Sequence, residues 1–315
     1  MNFLLNIFWQ RLFTFSPTIF TDRILEKFQR AHFLINIFYF YIFLFAIQTF
    51  SSFTDPLRNW SILIKSEELF SPIWSVQWME YLDWEMAVRS MYIFFFMTSL
   101  LGLFFWKKSR LVRLLVFLGL FFYISFLASF GKINHYFHLL LITSFIVIFL
   151  PQKNKVETNL AYEISFLKIF WGTQFFILLT YFSSGFFKIA GIISQEMRGE
   201  LSALSSTAMA QNFGKAAFGS GKEFFFGEFL VNHPHWFFAL AMILGYLVEF
   251  LSVFVAFLPK LHRLWGFFLI LLHAIILMTI GADFTSQIVV VGIFILFSPF
   301  DLRENYFSFS KKELT

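Results

Sequence analysis

Eight uninterrupted apolar runs, each near the length of a bilayer crossing, set the limits on how this chain folds. They lie at about residues 31–50, 89–106, 111–130, 134–150, 171–193, 235–258, 263–281 and 284–300. About 20 apolar residues span the hydrocarbon of a membrane as helix, with roughly 17–25 the usual range. Soluble domains carry roughly 25% charged residues, whereas this chain carries 14%, with a mean hydropathy of +0.72. Membrane β-strands would instead show short segments of alternating polarity. The expected fold is therefore all-α, a polytopic membrane helix bundle of about eight spans.

Basic residues set its predicted orientation. With a cytoplasmic N-terminus, sixteen Lys and Arg fall on the cytoplasmic side, including Arg23, Lys27, Lys107, Lys108, Arg110, Arg113, Lys153, Lys260 and Arg303. Six fall on the other side: Arg58, Lys65, Lys132, Arg198, Lys215 and Lys222. Such a bias places both termini in the cytoplasm and fits a cell inner (plasma) membrane. The net charge of +5 is no nucleic-acid signature, because the basic residues flank apolar runs in short groups. No cysteine is present, which removes thiolate chemistry and thiolate-bound metals.

Outside the spans, residues 1–30 read as an interfacial segment: the opening MNFLLNIFWQR lacks both a basic start and a cleavage site. Residues 31–300 form the bundle and 301–315 a cytoplasmic tail. Two long loops fall on the external side. One, about 51–88, mixes Trp60, Trp74, Trp78 and Trp84 with acidic residues, the composition of helix resting at the headgroup level. The other, about 194–234, contains NFGKAAFGSGKE, in which Glu223 follows Lys222 and breaks the phosphate-loop pattern. It reads as a cover over an outward-facing cavity.

Polar residues inside the spans are the candidates for function, since charge in hydrocarbon is costly. Gln174, Tyr181 and Lys188 recur every seven residues, with Ser184 between them, and so share one helix face. Lys188 has two readings. It anchors its helix by reaching the headgroups, or desolvation leaves it partly neutral and able to accept a proton. Asn134, His135 and His138 open the fourth span at a similar depth, as caps or as proton-handling groups of a cavity. A metal site would need a third ligand that the sequence does not supply. Glu249 and His273 sit within the sixth and seventh spans, where each needs a partner. Pairing them with each other is the most economical arrangement on adjacent antiparallel helices.

Taken together, YFSSGFFKI (Tyr181 to Ile189), NHYFHLL (Asn134 to Leu140) and LLHAIILMTIG (Leu271 to Gly281) resemble the membrane core of the vitamin K-dependent gamma-carboxylases. That family is grouped with the bacterial horizontally transferred transmembrane domain (HTTM) proteins. The resemblance covers about residues 31–300. It implies that Lys188, at the end of a YxxxGxxK pattern, is the base that deprotonates a reduced vitamin K-like quinone. It also implies a catalytic role for His135. Asn134, Tyr181, Ser184, Glu249 and His273 would line the cofactor site, without a metal. Two features depart from the family. No acidic-Trp segment follows the lysine helix, and the chain ends soon after its last span, without a large lumenal domain. The expected activity is therefore that of a quinol-dependent oxygenase or epoxidase, or a carboxylase-like reaction other than glutamate carboxylation itself. A second class stays open: a non-enzymatic factor in membrane lipid that matures or exports a secreted peptide. Transport is less favoured, because matching repeated halves are absent.

Overall fold

The computed structural model describes residues 23–54, 70–130, 135–152, 159–200, 202, 235–280 and 282–300. Eight α-helices form among them. They are α1 (Ile24–Thr54), α2 (Trp84–Phe105), α3 (Arg110–Ala128), α4 (His138–Val147), α5 (Asn159–Met197), α6 (His235–Val255), α7 (His262–Ile280) and α8 (Thr285–Val291). A single 3-10 turn, His135–Phe137, leads into α4, and α8 runs on as π-helix over Gly292–Leu296.

Five helical stretches are long and apolar enough to cross a membrane: Ile24–Ser51, Trp84–Phe105, Arg110–Ala128, Asn159–Met197 and Pro259–Met278. Three shorter apolar helical stretches, His135–Val147, Leu240–Val255 and Thr285–Leu296, complete the set. The chain is thus a polytopic all-α membrane bundle. Helix is the form this composition demands, because hydrocarbon offers no partner to an open backbone.

Several boundaries differ from those expected. The second span begins at Trp84 rather than 89, because the Asp83 carboxylate caps the amide of Met86 and Glu85 pairs with Arg89 one turn on. Of the external loop at 51–88, residues up to 54 extend α1 and Trp74–Tyr81 form a 3-10 helix with Trp74 and Tyr81 exposed. Residues 55–69 lie outside the described part. The fifth helix starts at Asn159, twelve residues before its apolar run, and ends at Met197. Phe166, Leu167 and Phe170 are fully buried along that extension. The 1–30 segment is described only from Arg23, the 194–234 loop only to Glu200 and at Ser202, and the 301–315 tail not at all.

Two polar clamps hold the end of the bundle away from Lys188. Arg113, one of the cations assigned above to the cytoplasmic side, is only 1% exposed. Its guanidinium donates to the carbonyls of Trp106 (3.0 Å), Ile148 (3.3 Å) and Leu150 (2.5 Å). These are orphan acceptors at the C-terminal ends of α2 and α4, which a forked donor can satisfy together. In the second clamp, Gln174 Nε2 donates to the Phe294 carbonyl (2.5 Å) and to Ser298 Oγ (2.9 Å). Ser298 also meets His262 Nδ1 at 2.8 Å. Helix α7 lies so close to the π-helical stretch that a Cβ on Gly266 would stand 2.6 Å from the amide nitrogen of Leu296. Between this clamp and the polar residues toward the other end of α5 and α7 comes an apolar layer that includes Ile177, Leu178 and Leu269, all fully buried.

Candidate functional site

The polar face expected on α5 turns inward. Tyr181 is 4% exposed, and Tyr181, Ser184 and Lys188 line one cavity of about 530 Å³. Helix α6 contributes Glu249 to its wall, α7 His273 and Ile276, and α8 Gln287. His135, His138 and Leu139 enter from the start of α4, and Phe284 precedes α8. The cavity brings together six of the seven expected site residues. Asn134, the seventh, lies outside the described residues. Gln174 shares the helix face but belongs to the clamp with Ser298.

Lys188 and Glu249 form the centre. The ammonium nitrogen lies 2.7 Å from Oε1 and 2.6 Å from Oε2 of Glu249, and Ser184 Oγ donates to Oε2 at 3.2 Å. The Lys188 side chain is 39% exposed and that of Glu249 is 5% exposed. Lys188 therefore does not act as a lone headgroup anchor. It is half of an ion pair whose carboxylate is sealed in protein, and pairing offsets part of the desolvation that each group alone would suffer. The ring of Tyr246, one turn before Glu249, lies 5.4 Å from the lysine nitrogen and adds a cation–π contact.

The expected Glu249–His273 pairing is not what forms. Glu249 takes Lys188 and Ser184, while His273 Nε2 lies 2.6 Å from the Tyr181 hydroxyl. The reason is helix packing: α6 lies chiefly against α5, its neighbour in space, rather than against α7. Gly185 permits this. A Cβ there would come within 2.5 Å of the Phe250 amide nitrogen and 2.9 Å of Glu249 Cβ. Without a side chain at Gly185, the two backbones approach until the carboxylate reaches the lysine one turn away.

His273 is buried against Phe284, ring centroids 4.9 Å apart, and its Nδ1 has no hydrogen-bond partner. At the rim, His135 Nδ1 and His138 Nδ1 stand 3.2 Å apart, so one ring donates and the other accepts. His135 is exposed and His138 half-buried. The backbone carbonyl of His135 accepts from Gln287 Nε2 at 2.9 Å, which ties the start of α4 to α8. Among the described residues, no group of three His, Asp or Glu side chains converges as metal ligands would.

Sequence reading missed Tyr246, Gln287, Phe284 and Thr180 as cavity or cation contacts. Gln287 carried a usable signal, since a glutamine inside FTSQIVVV needs a partner. Tyr246 carried one too, three residues from Glu249 and hence on its face. No protein-family model matches the chain, and neither does any curated protein or solved structure.

Proposed function

We propose that the protein is a membrane enzyme of the gamma-carboxylase-like kind, acting on a reduced quinone with Lys188 as the base. In this reading eight spans cross the plasma membrane, both termini are cytoplasmic, and the cavity faces the external side. The observation that carries it is the Lys188–Glu249 pair on the wall of a cavity of about 530 Å³, which lies in the usual size range for small-molecule sites. The lining suits a flat aromatic head group. Leu139, Ile276, Phe187 and Phe284 supply apolar wall, and Lys188, Glu249, Tyr181 and the two histidines supply polar contacts.

A bound hydroquinone would supply an acidic ring hydroxyl and a ring that molecular oxygen can oxidise. The protein supplies the proton acceptor. To act as the base, Lys188 would first hand its ammonium proton to the Glu249 carboxylate 2.6 to 2.7 Å away, which frees the amine lone pair. On accepting a proton at Nζ, Lys188 becomes the cation that faces the negative charge it has created. Ser184 holds the Glu249 carboxyl in register, and Tyr246 lies under the new charge. His135 and His138, at the exposed rim, pass the proton outward.

Purified protein assayed for quinol oxidation or epoxidation tests this directly. Wild type should turn over a quinol, and Lys188→Ala should remain folded while losing at least about 100-fold in rate, the usual worth of a positioned base. Lys188→Arg should fail as well, since guanidinium stays charged and has no lone pair to offer. Equal rates for wild type and Lys188→Arg would rule out the base role.

A further inference from the structure

A second and larger cavity lies on the flank of the bundle. It is a groove of about 650 Å³ between α3, α4 and α5, walled by Phe117, Phe121, Leu141, Phe145, Phe149 and Phe176 among others. Its only hydroxyls, Thr180 and Ser183, are turned back onto their own helix, donating to the carbonyls of Phe176 and Leu179 at 2.9 Å. The walls therefore offer nothing to a polar ligand and suit a hydrocarbon chain. One end is different. Phe149 lines the groove, and the Arg110 guanidinium lies 5.1 Å from its ring centroid. Lys107 and Lys108 precede Arg110 in the short α2–α3 turn, all three exposed.

Charge makes that end selective. Residues 90–156 contain no Asp or Glu at all. Among the described residues, no carboxylate forms an ion pair with Lys107, Lys108 or Arg110. Arg113, the nearby cation that is buried, is committed to three backbone carbonyls. An apolar slot that ends at Arg110, with Lys107 and Lys108 in the same turn and no acidic counterpart among the described residues, complements a ligand with a hydrocarbon chain and an anionic head. In a membrane, the molecule with that chemistry is an anionic phospholipid.

We propose that the groove between α3, α4 and α5 holds an acyl chain of one anionic phospholipid, with its phosphate on Arg110 beside Lys107 and Lys108. The site shares only Thr180 with the lining of the Lys188 cavity and does not depend on the quinol reading. On the orientation given above, the lipid belongs to the cytoplasmic leaflet, where anionic head groups meet positive-inside loops.

The experiment is native mass spectrometry of the detergent-purified full chain, titrated with phosphatidylglycerol and, separately, with phosphatidylcholine of the same acyl chains. Wild type should retain one phosphatidylglycerol at a concentration at least about fivefold below that needed for phosphatidylcholine, since a basic residue placed against the phosphate contributes about fivefold. Arg110→Gln, an exposed change, should cut that preference about fivefold. Ile146→Trp, which fills the groove, should weaken both lipids. Circular dichroism and a thermal melt confirm that each variant is folded, and Leu179→Trp fills the groove from the other wall should Ile146→Trp fail to fold. Equal wild-type affinity for the two lipids would overturn the proposal. So would a phosphatidylglycerol preference untouched by Arg110→Gln, or binding that neither groove-filling variant reduces.

Discussion

Replacing Gly185 by alanine tests how the site is assembled. The new methyl carbon would stand 2.5 Å from the Phe250 nitrogen and 2.9 Å from both Phe250 Cα and Glu249 Cβ. The obstruction is mostly backbone and cannot swing aside, so α5 and α6 must part by roughly 1 Å to restore ordinary contact. Overpacking of this kind costs about 1–3 kcal/mol, and the gain in helix propensity from Gly to Ala returns about 1 kcal/mol. Parting the helices also stretches the Lys188–Glu249 contacts from 2.6 and 2.7 Å to beyond hydrogen-bonding range. A hydrogen bond to a charged group contributes about 1.5–3 kcal/mol. With Lys188 39% exposed, the lower end of that range applies. Gly185→Ala should therefore cost about 2–3 kcal/mol in thermal or detergent-titration unfolding. In a Lys188→Met/Glu249→Leu background the same change should cost only about 1 kcal/mol, because no pair remains to be broken. A coupling near zero would refute the claim that close approach at Gly185 is what delivers Glu249 to Lys188.

The other clamps and contacts give further tests. Arg113→Leu strands three carbonyls at the ends of α2 and α4 and should lower stability by about 3 kcal/mol or more, read as a fall in melting temperature. Arg113→Lys should rescue little of that loss, lacking the fork. Tyr181→Phe removes the partner of His273 Nε2 on a ring whose Nδ1 already has none, and should cost about 1–3 kcal/mol in the same melt. Because the chain has no cysteine, single cysteines report topology cleanly. Those placed near residues 110, 155 and 261 should label only from the cytoplasmic side, and those near 70 and 215 only from outside. Cytoplasmic labelling at 215 would reverse the assignment.

The apolar runs made the helices legible, because in hydrocarbon length and continuity suffice to name a helix. They did not reveal where α2 and α5 begin. Both helices start in polar sequence, at a capped Asp83 and at the Asn159–Lys168 stretch, where amphipathic burial of Phe166 and Leu167 takes over from hydropathy. The cavity residues were legible for a related reason: Lys188, Glu249 and His273 are each too costly to face lipid. Their partners were not. Neighbourhood in the chain suggested Glu249 with His273, but contact depends on which backbones approach most closely. The sequence mark of that approach was Gly185, three residues before Lys188. His262 and Ser298 escaped notice, and Gln174 was read only as part of the Lys188 face, because the three meet where the start of α7 and the end of the π-helical stretch reach the middle of α5.

The apolar layer formed by Ile177, Leu178 and Leu269 has an electrical meaning. It divides the seam between α5 and α7 into two polar compartments, with Lys188, Tyr181 and His273 in one and Gln174, His262 and Ser298 in the other. Among the described residues no hydrogen bond bridges the two. A proton released beside Lys188 would thus have only the cavity mouth as a hydrogen-bonded way out among the described residues. On the quinol reading proposed above, turnover would therefore move no net charge across the bilayer, and its rate should be indifferent to the membrane potential.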